Sequence, residues 1–534
     1  VGASPLEIAP TGARDMSVST LRTSGRIAGG TLLSRLTGLV RVWATAHALG
    51  IGALTDTYNS ANSTPNLIYE LLLGGVLTAS IVPLFVDITE RDDRDAGAAL
   101  FTTTMSALLA ISGLAFVAAP WIVRVLTSEV GPADHGAALD LGTALMRCFA
   151  LQIVGYGFTA VASAALNARG RFVAAAYAPV LNNVVVSAVL LLAVRDRPTL
   201  AAVDGDRPLT LALGLGTTAG ILVMAIALVP ALSRAGVSLR PVWQPRNPAV
   251  QRLFRQSGWT LGYVISNQIA LFVVMVVARE VTGSLAAYQF AFVFFQLPHG
   301  LVAVSIMTAW LPELVQHARR GDLEAMGARF DAGLRSMLVL IVPSAAGFLA
   351  LSVPIVDTLL TTNDTSPTAT AAALTGFAIG LVPFSVYLFT LRGFYALGDT
   401  RTPFVVNALE NALNVVFALV AFDRWGVRGL AGAFAAAYAV AAVVSLMLLR
   451  RRIGRFVSPG TPRLLGTLGI GGVACASAAW WVADRLARPG PGLILGGAAG
   501  ALGYGAVVWL GARRELHAGF RPPKTEAPPE PANV

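Results

Sequence analysis

The stretch TLLSRLTGLVRVWATAHALG, residues 31–50, decides the class of fold. It is long and apolar enough to cross a hydrocarbon core about 30 Å thick. Yet it carries Arg35 and Arg41. A charged side chain at the bilayer centre costs about 2.5–3.5 kcal/mol on insertion scales. Such a residue faces a water-filled cavity, pairs inside the protein, or stretches to an interface. At about 100° per residue, Arg35 and Arg41 point about 120° apart. They fit a wide cavity wall and no narrow stripe.

The rest of the chain repeats the pattern. Of 534 residues, 55% are hydrophobic and 13% charged, against about 25% charged in soluble domains. Mean hydropathy is +0.67. Alternating segments of about ten residues, the mark of a membrane β-barrel, are absent. The composition predicts an all-α polytopic membrane protein. Apolar runs place fourteen spans at 24–50, 64–89, 96–127, 137–167, 171–195, 208–234, 250–279, 282–318, 331–361, 369–398, 403–422, 427–450, 462–486 and 491–513. ERDDRDAG, NARGR, HARRGDLEAMG, LGDTRTP and RPGPG are the breakers between them.

Charge orients the spans. With the N-terminus in the cytoplasm, 25 of the 39 Lys and Arg fall in the inside loops and termini, and 9 in the outside loops. The expected topology is N-in and C-in. The outside loop RDRPTLAAVDGDRP, with three arginines and three aspartates, runs against the bias.

Corresponding features recur at nearly one offset. Ser24-Gly25 and Ser257-Gly258 open spans 1 and 7, and Pro65 and Pro298 lie in spans 2 and 8. LNARGRF and LGDTRTPF join spans 4–5 and 10–11, and Asn182 and Asn414 follow each phenylalanine at the same distance. Six spans are an even number, so the halves share one orientation, a parallel repeat. The expected organisation is a disordered cytoplasmic leader 1–23, an N-lobe 24–234, a cytoplasmic loop 235–249, a C-lobe 250–452, two added helices 453–514 and a disordered Pro-rich cytoplasmic tail 515–534. Spans 1, 2, 7 and 8 would line a cavity between lobes.

Intramembrane polar groups are the candidate site. A guanidinium binds phosphate through paired hydrogen bonds, so Arg35 and Arg41 suit an anion, and Asp56 is their nearest acid in sequence. Span 2 adds Asn66, Tyr69 and Glu70, with a Gly74-Gly75 pair that reads as packing and Pro83 shaping its inner end. His299, in QLPHG, faces either a cavity or the packing. In span 11, Asn407, Glu410, Asn411 and Asn414 share about one face. With Asn267 of span 7 they form either a Na⁺ or proton site or a satisfied inter-helix cluster.

Other chemistry is excluded. Cys148 and Cys475 are far apart and make no CxxC pair. There is no P-loop, HExxH or GxSxG, and GLGTTAG at 214–220 lies in an apolar span, where it packs helices. No catalytic or metal site is expected. The arginines are scattered over short loops, so no nucleic acid is expected as a partner.

SRLTGLVR in span 1, TDTYNSANSTPNL, LTASIVPLF, LPHGLVAVSIMTAWLPELV and GFYALGDTRTPF resemble the MurJ/MviN family of lipid II flippases, of the multidrug/oligosaccharidyl-lipid/polysaccharide exporter superfamily, in an actinobacterial-type form. The resemblance covers about 24–510. It implies a cationic cavity, a groove at spans 13 and 14 for the lipid tail, and a cargo of undecaprenyl-diphosphate-linked disaccharide pentapeptide moved to the outer leaflet by alternating access. It matches Arg35, Arg41 and Asp56 to functional positions. Peptidoglycan synthesis and division proteins are the implied partners, the chain acting as a monomer in the bacterial cytoplasmic membrane. Na⁺, H⁺ or the membrane potential would drive it, with no cofactor. The chain departs from the Gram-negative pattern at Tyr69-Glu70 and Val293, where arginines are common, and at Val42. That leaves room for an alternative: an exporter of another polyprenyl-linked saccharide, or a cation-coupled drug exporter of the same superfamily.

Overall fold

The computed structural model describes residues 12–70, 84–85, 88–89, 93–128, 130–195, 197–244, 246–247, 258–360, 368–486 and 488–519. No strand occurs among them. The helices are α1 (Gly12–Leu49), α2 (Ala53–Tyr69), α3 (Arg94–Leu126), α4 (Pro132–Ala150), α5 (Gln152–Ala168), α6 (Phe172–Ala193), the short α7 (Leu200–Gly205), α8 (Arg207–Ile226) and α9 (Val229–Arg234). Then come α10 (Gly258–Ala278), α11 (Ser284–Pro298), a π turn (His299–Ala303), α12 (Val304–Arg319), α13 (Leu323–Leu360), α14 (Thr368–Ala396), α15 (Arg401–Ile453), α16 (Thr461–Asp484) and α17 (Pro489–Gly519). Gly74-Gly75 and Pro83 lie outside the described residues.

Ten described helices are long and apolar enough to span a membrane. One of them, α15, carries two expected spans: Gly426 sits at φ 53° and breaks it at the 11–12 boundary. Span 1 is missing from the ten because Arg35, Arg41 and their polar neighbours lower its hydropathy. Spans 2 and 7 are missing because part of each lies outside the described residues. Segment 12–23, expected to be disordered, continues α1 as helix.

The breakers act through identifiable atoms. Asp93 of ERDDRDAG caps α3, its Oδ1 accepting from the Ala96 amide at 2.9 Å. Asp206 caps α8 through the Leu209 amide at 3.0 Å. Each satisfies an orphan donor of a first turn. Both repeated joints end a helix on a left-handed glycine, Gly170 (φ 70°) and Gly398 (φ 74°). The next amides, Arg171 and Asp399, each donate back to the carbonyl five residues earlier, at 2.9 Å. Both are Schellman-type stops, which glycine makes without a Cβ penalty.

The chain packs as two compact units, one of Val1–Phe294, Leu359–Thr370 and Asn407–Leu430, the other of Phe295–Thr358, Ala371–Val406 and Ala431–Val534. In the first, small residues let helices approach. A Cβ on Gly30 of α1 would stand 2.7 Å from the Tyr177 ring of α6. In GLGTTAG, a Cβ on Gly214 would stand 2.7 Å from Cys148 Cβ, and one on Gly216 2.6 Å from Val189. That glycine-rich run is a packing seam, as its apolar setting predicts. In the second unit, Phe295, Phe377, Phe384 and Phe434 form an aromatic core, with Phe295–Phe377 centroids 5.3 Å apart. There α16 and α17 pair through Gly471 against Tyr504 and Gly500 against Cys475. Tyr504 donates its hydroxyl to the Val339 carbonyl of α13 at 2.7 Å. The outward faces are apolar: Leu114, Val117 and Trp121 of α3 are 60% exposed or more, as lipid contact requires.

Candidate functional site

The site is built on α2. Its sequence ALTDTYNSANSTPNLIY carries a polar residue at almost every turn. In water such a segment would stay solvated; here Asp56, Thr57, Asn59, Ser60 and Thr64 are buried. Each therefore needs a partner. Thr64 and Ser60 return hydroxyl bonds to the carbonyls of Ser60 (2.7 Å) and Thr57 (3.1 Å). Tyr58 bonds Thr217 of α8 at 2.8 Å. Pro65 is absorbed within the helix, although it removes one amide donor.

Two faces of α2 separate two jobs. One face meets the start of α11. Asp56 Oδ2 accepts the Gly283 amide at 2.6 Å, and Oδ1 accepts the Ala286 amide at 2.7 Å. These are orphan donors at a helix N-terminus, where the dipole favours an anion. Beside them Arg279, just past α10, donates from Nη1 to Ser60 Oγ at 2.6 Å and from Nη2 to Thr57 Oγ1 at 3.2 Å. A partnership of Asp56 with Arg35 or Arg41 is not what forms: the α11 amides occupy both carboxylate oxygens instead.

The other face lines a cavity of about 100 Å³ with Arg41, Thr45, Tyr58, Asn59, Asn62, Ser63 and Gln289. Gln289 Nε2 donates to Ser63 Oγ at 3.3 Å. Gln152 Nε2 donates to Asn62 Oδ1 at 3.2 Å. Among the described residues the lining thus offers one guanidinium, neutral amides and hydroxyls, the apolar Val42, Val186 and Phe290, and no carboxylate. Val293 is also in the lining, so the departure noted in the sequence falls inside the cavity. A larger cavity, about 770 Å³, lies by His47, Asp134 and Arg197 and includes none of the expected site residues.

The other expected residues are placed as follows. Arg35 is half-buried on α1 and outside the cavity lining. Asn66, Tyr69 and Glu70 lie further along α2, also outside that lining; Tyr69 stacks on Tyr156 with centroids 6.1 Å apart. His299 opens the π turn and is buried, its Nδ1 3.0 Å from Ser385 Oγ and its ring against Phe384. Asn267 Oδ1 accepts from both Asn407 Nδ2 (3.1 Å) and Asn411 Nδ2 (2.9 Å). Glu410 and Asn414 are buried on the same helix. Among the described residues no cluster of three or more His, Cys, Asp or Glu could hold a metal ion.

Sequence reasoning missed Arg279, Thr57, Ser60 and Gln289. Arg279 reads as one more loop arginine. The available signal is its position, with Glu280, in a very short joint between two apolar spans.

A bundle of membrane-crossing helices with an arginine in a buried polar cavity defines a multi-pass membrane transporter. Known proteins agree. The family model "Lipid II flippase MurJ" matches residues 45–490. The "Probable lipid II flippase MurJ" of Rhizobium meliloti (strain 1021) is 29% identical over 488 residues, 89% of each chain. A solved structure, "Lipid II flippase MurJ, inward closed conformation", superposes with TM-score 0.75 at 18% identity, over 92% of this chain and 99% of that one. An inward-facing multidrug resistance MATE family transporter of the MOP superfamily follows at TM-score 0.65 and 15% identity, over 80% and 98%. The chain belongs to the lipid II flippase MurJ family.

Proposed function

We propose that this chain is a lipid II flippase, a transporter and not an enzyme. It carries the undecaprenyl-diphosphate-linked precursor from the inner to the outer leaflet of the bacterial cytoplasmic membrane, for cell-wall synthesis. The supporting observation is Arg41 in a cavity whose described lining adds amides and hydroxyls and no carboxylate. A diphosphate crossing hydrocarbon unpaired is prohibitively costly. A guanidinium fork supplies the paired donors it needs, and the neutral lining supplies further hydrogen bonds without repelling it. A cationic drug would find no anion among the described lining residues, and the matched relatives are named as lipid II flippases, so the drug-exporter alternative is not favoured.

In this reading both termini are cytoplasmic and the residue 53–57 end of α2 faces outward. Lobes 24–234 and 250–452 are the moving bodies, and the hairpin 453–514 guides the lipid tail. Asp56 on the α11 amides latches the outer side while the cavity loads from within. Arg35, on the approach, meets the diphosphate before Arg41. The membrane potential, worth about 2.3 kcal/mol per charge per 100 mV, assists. Na⁺ or H⁺ at Glu410 with Asn267, Asn411 and Asn414 is a second coupling proposal. The chain works as a monomer beside the enzymes that make and polymerise the precursor.

The test is outer-leaflet exposure of lipid II in cells depleted of their own flippase and complemented with this chain. Restoration by wild type and failure by Arg41→Ala at equal membrane abundance supports the reading. Failure by well-expressed wild type sinks it.

A further inference from the structure

Arg279 is held by hydroxyls and by no carboxylate. Its Nη1 and Nη2 reach Ser60 and Thr57, and its Nε has no hydrogen-bond partner although the residue is only 4% exposed. Asp56, the acid that faces it, spends both oxygens on the Gly283 and Ala286 amides. The Asp56 charge balances this guanidinium while α2 is docked, but Asp56, Thr57 and Ser60 all belong to α2, so the guanidinium loses its whole compensation when α2 parts from it. An anion with two adjacent oxygens would satisfy the fork better than two separate hydroxyls do.

The placement gives this demand a use. Both hydroxyls belong to α2, whereas Arg279 follows α10. Any motion that parts these elements strips both hydroxyls at once and opens the fork. Ser60, which holds Arg279, is one turn of α2 from Ser63, which lines the Arg41 cavity. Arg41 and Arg279 thus hold successive stations along one helix.

We propose that Arg279 is a further diphosphate-binding residue, masked by Thr57 and Ser60 while Asp56 is latched, and exposed when the latch releases. It takes the diphosphate from the Arg41 cavity toward the outer side. This rests on the flippase reading above.

The experiment measures diphosphate binding to the purified full chain in detergent. Two probes, inorganic pyrophosphate and farnesyl diphosphate, separate a free diphosphate from a lipid headgroup. Asp56→Asn releases the latch, and labelling of Ala61→Cys in that background reports the opening. The released chain is expected to bind one diphosphate more than wild type. Adding Arg279→Gln should weaken that extra site about tenfold or more. Adding Arg279→Lys should retain most of it. Both replacements keep donors for Thr57 and Ser60, and only lysine keeps the charge, so a purely structural role would not separate them. Equal binding with glutamine and lysine overturns the proposal, as does an opened latch with no extra site or Ala61→Cys that stays unlabelled. Tighter binding of farnesyl diphosphate than pyrophosphate at the extra site assigns it to lipid headgroups; the reverse assigns it to free diphosphate and overturns its place in lipid transport. The wild-type chain with Arg35→Ala/Arg41→Ala is the separate control. If it binds diphosphate as well as wild type, the Arg41 cavity reading fails, whatever Arg279 does.

Discussion

The Asp56 carboxylate accepts the backbone N–H of Gly283 at 2.6 Å. One side chain of α2 thereby caps the helix that starts just after Gly283, 227 positions later in the chain. A capping bond of this kind is made or broken as a unit, since its second oxygen takes the Ala286 amide. It is a natural place for two helices to lock and release.

Asp56→Asn keeps the shape and removes the charge. Charge-assisted hydrogen bonds contribute about 1.5–3 kcal/mol each, and the amide also presents a donor where two N–H groups already point. The expected outcome is faster labelling of Ala61→Cys, which is 1% exposed in the wild type, together with reduced lipid II exposure in cells. Unchanged labelling would show that Asp56 does not hold the helices together.

Arg41→Lys tests fork geometry against charge. A lysine keeps the charge in the cavity and loses the paired donors. Lipid II exposure should fall below wild type while Arg41→Ala falls to background. Full activity with lysine would mean that the cavity reads charge alone.

Asp331 is 1% exposed, pairs with Arg335 at 3.2 Å and accepts the Thr461 hydroxyl at 2.8 Å. It joins α13 to the first residue of α16. Breaking a buried pair by removing one partner costs about 3–5 kcal/mol. Asp331→Ala should lower the melting temperature of the purified chain by several degrees. A melting point equal to wild type would contradict this anchor.

Asp399 sits in the loop before α15. Burial pushes its carboxyl up, but hydrogen bonds from the Thr402 amide and hydroxyl, with Arg452 nearby, outweigh that and hold it below the usual range. A depressed folded value stabilises above the unfolded carboxylate range, about pH 3.9, and that stability is lost as pH falls through the folded value. Wild type should therefore melt slightly higher than Asp399→Asn at neutral pH, with the gap closing in acid. Arg452 is largely exposed, so the gap is small. A gap that widens in acid would reverse the sign and refute the argument.

Asn267→Ala removes the acceptor shared by the Asn407 and Asn411 amides; Asn411 Nδ2 keeps the Asn407 carbonyl at 2.9 Å, so the cost is about 1–3 kcal/mol for the unmet Asn407 donor. Thermal melts in sodium chloride and choline chloride separate the two roles of this cluster. A sodium-specific rise in wild type, lost in Asn267→Ala, supports cation coupling. No difference between salts leaves an inter-helix hydrogen-bond cluster and removes Na⁺ from the mechanism.

The sequence by itself determined the class of protein, most of the described spans and the repeated joints, but not that α2 begins at Ala53, in a stretch that read as an outside loop. Those rest on local physics: an apolar run must cross or be buried, a glycine must end a helix where φ is positive, and an aspartate before an amide caps it. GLGTTAG was legible as packing for the same reason, since a glycine seam in an apolar span has nothing to bind. Arg41 was legible because a charge inside an apolar run demands an explanation. What the tertiary structure alone decided is which partner each polar group finds. Asp56 stood out in sequence as the acid nearest the arginines, but its oxygens go to amides of Gly283 and Ala286, which carry no sequence signal because backbone amides recur along the chain. Arg279 reads as a loop charge until Thr57 and Ser60 close over it. Hydrogen-bond partners more than two hundred residues apart are set by how helices dock, and docking depends on surfaces summed over whole helices rather than on any one motif.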